Sequence, residues 1–144
     1  MKNITLLFIF ILGLSLSSFT QSKIKAETLS FKYTPAFAEI ILKKTEVEAE
    51  FESLIIDYTE EYPKVKENKL ALELLKKEIE KLSKLGSSQL PKLSVALGKL
   101  IVRKVELEVE VKSLLIEYNE KNPDVIRMRK KLQIFEKAIS EILN

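Results

Sequence analysis

An internal duplication constrains this chain more than any other feature. Shifted by sixty residues, positions 38–84 align with 98–144 without a gap, and 15 of the 47 pairs are identical. The clearest block sets SLIIDYTEEYPKV (53–65) over SLLIEYNEKNPDV (113–125). A unit of about 50 residues would be marginal alone. The two copies are therefore expected to pack against each other or against another chain.

Within each copy the apolar period is helical. Val65, Asn68, Leu72, Leu75, Ile79 and Leu82 step by 3, 4, 3, 4 and 3, and Val125, Met128, Leu132, Phe135, Ile139 and Ile142 repeat the pattern. Such steps place one stripe along a helix and suit coiled-coil-like packing. Upstream, Phe37, Ile40, Val47, Phe51, Leu54 and Tyr58 follow the same rule, matched by Leu97, Leu100, Leu107, Val111, Leu114 and Tyr118. Each copy is thus two helices. Proline lacks an amide hydrogen and disfavours helical geometry in the residue before it, so Pro63 and Pro123 each end one helix and open the next. Asn122 suits an N-cap, and Asp124 sits favourably at the positive end of the last helix. The stretch LGSSQLP joins the copies, with Gly86 expected to cap a helix end.

One stretch resists this reading. VELEVEV (105–111) alternates apolar and acidic residues, the signature of a half-buried strand. It lies, however, inside a run of about 25 residues with no internal proline, far longer than an ordinary strand, and its counterpart TEVEAEF contains good helix formers. As a helix it carries two apolar faces. Leu107, Val111, Leu114 and Tyr118 line one, and Val102, Val105, Val109 and Ile116 line the other. A helix of this kind is either central in its own bundle or presents a seam to another chain, and these four residues form the expected interface. The fold class that follows is all-α, an antiparallel four-helix bundle of two duplicated hairpins: hairpin 1 at 35–85, linker 86–91 and hairpin 2 at 92–144. A pseudo-twofold pairing is expected, although an elongated tandem or a swapped dimer uses the same stripes.

The N-terminus differs in kind. Lys2 precedes an apolar run, ITLLFIFILGLSL, and then the small and polar residues SSFTQS. This is the layout of a secretory signal peptide, placed at 1–22, with 23–34 as a flexible segment before the bundle. The run is shorter than the roughly 20 residues that span a bilayer. Export to the periplasm or exterior is expected, with an uncleaved anchor in the inner membrane as the alternative. Without cysteine there is neither a disulfide nor a lipid-modified thiol, so burial alone must stabilise the domain.

Composition narrows the chemistry. With no His, Cys or Trp and three glycines, the chain lacks the usual neutral-pH acid and base, the thiol nucleophile, imidazole or thiolate zinc sites and a glycine-rich phosphate loop. No catalytic residue, metal or cofactor is expected. The 24 basic and 21 acidic residues are interspersed, unlike the clustered basic face that nucleic acid requires. The mixed-charge polar faces also lack the basic enrichment of membrane-surface helices, which leaves the membrane relevant only through an uncleaved signal. The acidic pairs Glu46/Glu50 and Glu106/Glu110 read as solvated charges. Lys44 and Lys104 occupy stripe positions that should be apolar, their stems expected along the core edge with the ammonium reaching water or a glutamate. Asn68 resembles the polar residue that fixes register in coiled coils. Tyr58 and Tyr118 are expected to pack at the turns, with Pro63, Val65, Pro123 and Val125 completing the repeated turn and core.

The repeated pattern Leu-x3-Tyr-x4-Pro-x-Val-x6-Leu, present as Leu54, Tyr58, Pro63, Val65, Leu72 and as Leu114, Tyr118, Pro123, Val125, Leu132, resembles a segment of the periplasmic coiled-coil hairpin of polysaccharide chain-length determinant and exopolysaccharide export proteins. It covers about 20 residues per copy. Tyr62 and Asn122 stand where that family often has histidine, and its flanking transmembrane helices have no counterpart in these 144 residues. The resemblance implies an accessory coiled-coil role in envelope polysaccharide assembly or export. The whole chain is also similar to secreted bacterial helical-repeat proteins, which implies no particular activity. From the residues themselves, the expected function is non-enzymatic: an exported bundle that binds a protein partner or itself.

Overall fold

The computed structural model describes residues 30–144; the signal peptide expected at 1–22 lies outside them, as does most of the segment expected to be flexible. Four helices follow in order: α1 (Pro35–Asp57), α2 (Pro63–Ser83), α3 (Val95–Glu117) and α4 (Pro123–Leu143). The chain is an all-α helical bundle, and 105–111 is the middle of α3. Pro63 and Pro123 both occupy the first helical position, and α1 and α3 end at residues exactly one repeat apart, Asp57 and Glu117. Asn122 Oδ1 accepts from the Asp124 amide at 2.8 Å, whereas Tyr62 offers α2 no such cap.

The structural repeat starts earlier than residue 38. A 3₁₀ turn precedes each hairpin, at Phe31–Tyr33 and Leu90–Lys92. Thr34 then caps α1 by accepting from the Phe37 amide, and Ser94 caps α3 by accepting from Leu97, both at 3.3 Å. Phe31 is buried and meets Phe37 edge to face, with ring centroids 4.8 Å apart, so 31–34 belong to the folded domain and not to a flexible leader. Gly86 has no positive φ; α2 closes instead through the Lys84 amide bonded to Leu82 and Lys81.

Packing departs from a closed up-and-down bundle. Along α2 and α3, Glu67 pairs with Ser113 and Glu78 with Lys104, so these two helices run in opposite directions. Along α1 and α3 the partners advance together: the Ala36 amide donates to the Leu93 carbonyl, Ala36 lies against Gly98, and Lys43 pairs with Glu106. These two helices are parallel, side by side. Both hairpin turns consequently lie at the same end of the molecule. Helices α1, α2 and α3 form a mutual triangle, while α4 packs extensively on α3 alone. The arrangement is the elongated tandem rather than a pseudo-twofold pair.

The core reflects this. Ile40, Leu75, Leu93, Leu97 and Ile101 are fully enclosed among the first three helices. In α2 the stripe residues Val65, Asn68, Leu75 and Leu82 are buried, whereas in α4 only Val125 is, and Met128, Leu132, Phe135, Ile139 and Ile142 stay half-exposed. Burial of a large aliphatic side chain contributes about 1.5–3 kcal/mol. Near-identical stripes thus contribute unequally because only one of them has two neighbours.

Candidate functional site

The second apolar face of α3 is present but turned inward. Val105 is 2% exposed, and Val102 and Val109 are half-buried against the cluster formed with α1 and α2. Of the four residues expected to form an external seam only Ile116 is open, at 79%. The physical reason is the central place of α3: it meets α4 with Leu107 and Val111 and the other hairpin with its valines. The repeated residues at the turns divide similarly. Val65 and Val125 are fully buried, while Tyr58 and Tyr118 are nearly half-exposed. Tyr58 stacks on Tyr62 with ring centroids 4.2 Å apart, an arrangement the second copy lacks because Asn122 replaces Tyr62.

Each turn is clasped by an ion pair that the duplication preserves. Lys69 holds Glu60 at 3.1 Å, and one repeat later Arg129 holds Glu120 at 2.6 Å. Identical glutamates and a basic residue nine positions on carry this signal in the sequence. Lys44–Glu48 at 2.7 Å and Lys104–Glu108 at 2.8 Å form a second repeated pair.

The two lysines nevertheless have different fates. Lys44 is partly exposed with Glu48 as its partner. Lys104 is buried and also reaches Glu78 of α2 at 2.8 Å, and Glu78 in turn accepts from Lys81 at 2.7 Å. Position 138, the repeat equivalent of Glu78, is alanine. Burial opposes the charge on Lys104, but hydrogen bonds to Glu108 and Glu78 more than offset it and hold the ammonium above the ordinary lysine value. Burial likewise opposes ionisation of Glu78, and hydrogen bonds from Lys104 and Lys81 outweigh it, leaving the carboxyl below its usual range. A nucleophilic lysine requires the opposite, a depressed pKa that frees the amine. This cluster is a charged strut between α2 and α3.

A cleft of about 330 Å³ opens where α1, α2 and α3 meet. Val47, Ala71, Leu75, Val105 and Val109 line it together with Asn68, and Lys43, Lys64, Arg103 and four glutamates surround it. The charges are mutually engaged: Lys43 and Arg103 both bind Glu106, at 2.8 and 3.0 Å, and Lys64 lies 3.7 Å from Glu50 and Glu67. Burial raises Glu106, but hydrogen bonds from Lys43 and Arg103 bring it below the usual carboxylate range. Asn68, 4% exposed, leaves its Nδ2 donor without a partner. Among the described residues no group of three or more acidic side chains is placed to share a metal ion, and no helix is long and apolar enough to cross a membrane.

Several large apolar side chains stand in solvent among the exposed charges. Tyr33 is 82% exposed, Leu42 58%, Ile56 81% and Ile134 67%. Comparison of the chain with protein-family models, with curated proteins and with solved structures finds no match.

Proposed function

We propose that this protein is a non-enzymatic helical bundle that acts by binding protein, either a partner or a further copy of itself. One observation carries the reading: α4 packs mainly on α3, and large apolar side chains remain in solvent on α4 and α1, whereas the buried ionisable groups are consumed by one another. Apolar surface of this kind is what a partner covers. Export to the periplasm or exterior is part of the same reading and rests on the charged, apolar and polar layout of residues 1–22.

The absence of cysteine gives a clean test, since Leu42→Cys, Ile116→Cys and Ile134→Cys each introduce a single thiol. Maleimide labelling of each is compared between dilute purified protein and an extract of the source cells. Slower labelling at one or more positions in the extract is the expected result; equal rates at all three overturn the reading. A second reading, an accessory role in envelope polysaccharide assembly or export, is favoured by the repeated Tyr-x4-Pro turns displayed at one end. It predicts co-purification with export components, and recovery free of glycan and membrane partners counts against it.

A further inference from the structure

The two repeats are unequally covered, and the inequality has a pattern. Repeat 1 receives repeat 2 through Ala36 on α1 and Leu74 on α2, which are 0% and 8% exposed. Sixty residues on, Ala96 is exposed and Ile134 is 67% exposed. Repeat 2 inserts Leu93, 1% exposed, and the half-buried Val102. Sixty residues back, Tyr33 is 82% and Leu42 58% exposed. These four internal interface residues therefore have apolar counterparts standing in water, whereas Val105, Ala71 and Lys104 have Thr45, Lys131 and Lys44 as theirs. Ile56 and Ile116, exposed alike in both copies, lie outside this pattern.

We propose that the chain associates head to tail with a second copy, repeat 1 of one molecule docking on repeat 2 of the next as repeat 2 docks on repeat 1 internally. The inference rests on the association reading above and names the partner. Charge fits the same register in part: the internal Lys43–Glu106 pair at 2.8 Å becomes Arg103 facing Glu46 of the second copy, whereas the Lys104–Glu78 pair becomes Lys44 facing Ala138. The loss of that strut makes the contact between copies looser than the internal one, and crowding at position 38 does so too. A Cβ on Gly98 would lie 2.8 Å from Glu39 Cβ and 2.9 Å from Ala36, and Ala38, its counterpart, carries that Cβ. The two docking faces differ, so the interface is heterologous and does not stop at a dimer; it grows into open chains or closes into rings.

Sedimentation velocity of the full chain, from micromolar to millimolar concentration, tests this. The mean mass is expected to rise past that of a dimer. Leu42→Glu and Ile134→Glu, both on exposed positions, each reduce the species to monomers with helicity unchanged. Mixed in equal amounts they form a dimer that grows no further, because each retains one intact face. Ala38→Gly moves the association midpoint several-fold lower in concentration. A monomer throughout overturns the proposal while leaving a foreign partner open to the cysteine test. A closed dimer, or an assembly indifferent to both glutamates as the apolar run 4–16 would produce, overturns it too.

Discussion

Replacing Lys104 with methionine removes a charge from the strut between α2 and α3 and leaves Glu78, whose side chain is 10% exposed, facing the interior. Orphaning a buried charge costs about 3–5 kcal/mol. Here Lys81 remains 2.7 Å from Glu78, although its side chain is 65% exposed and the pair is screened by solvent on that side, so the loss should fall to about 2–3 kcal/mol. For a domain of this size that lowers Tm by roughly 10 °C. The duplication supplies the control. Lys44→Met removes the same side chain from the same repeat position, where Glu48 is the partner and solvent screens the pair, and should change stability by less than about 0.5 kcal/mol. The double variant Lys104→Met with Glu78→Leu removes both buried charges and should return to within about 1 kcal/mol of the unsubstituted protein. Urea unfolding followed by helical circular dichroism at neutral pH measures all three. Equal losses for Lys44→Met and Lys104→Met, or a double variant worse than either single one, would refute the reasoning.

Three further outcomes follow from the same interior. Asn68→Met copies the residue the second repeat uses at that position and removes the unpartnered Nδ2 donor; thermal unfolding should show a gain of about 1–2 kcal/mol. Gly98→Val forces side-chain atoms into Ala36 and Glu39 and should cost about 2–3 kcal/mol, seen as a lower denaturation midpoint with an unchanged slope. Stability against pH has a defined shape. The lowered carboxyls of Glu78 and Glu106 contribute fully above the unfolded glutamate value of about 4.3, and that contribution is lost as pH falls through their lower folded values. The raised Lys104 contributes fully below the unfolded lysine value of about 10.4 and is lost as pH rises beyond it. Scanning Tm against pH should therefore give a plateau between these limits, with a shallower acid edge in Glu78→Gln.

Much of the local structure was legible because it depends on local chemistry. Pro63 and Pro123 fix where helices begin whatever surrounds them, and the 3-4 spacing identifies each core stripe. The alternation at 105–111 proved to be the trace of a helix with two covered faces, which the sequence left undecided between an internal and an external role. Deciding it requires knowing that α1 and α3 lie in parallel contact, and that depends on Gly98 and on Leu93 just before α3, neither of which belongs to a stripe. Signals for the longer repeat were present: Lys32/Lys92, Thr34/Ser94 and Ala36/Ala96 continue the alignment upstream. The separate fates of Lys44 and Lys104 turn on Glu78 against Ala138, a difference that matters only once α2 is known to meet α3.

The single-sided docking of α4 also shapes how the molecule opens. Helix α4 is held by α3 and, at its C-terminal end, by Gln89 and Lys92 bonded to the Leu143 carbonyl, and it can leave while the other three keep their shared core, whereas α2 cannot depart without dismantling the triangle. Segments of low local stability open at a fraction of the global unfolding free energy. The two copies of one helix are thus expected to differ in hydrogen exchange, with the α4 amides exchanging ahead of those of α2. Duplication provided the sequence twice, and the number of neighbours decides how long each copy stays folded.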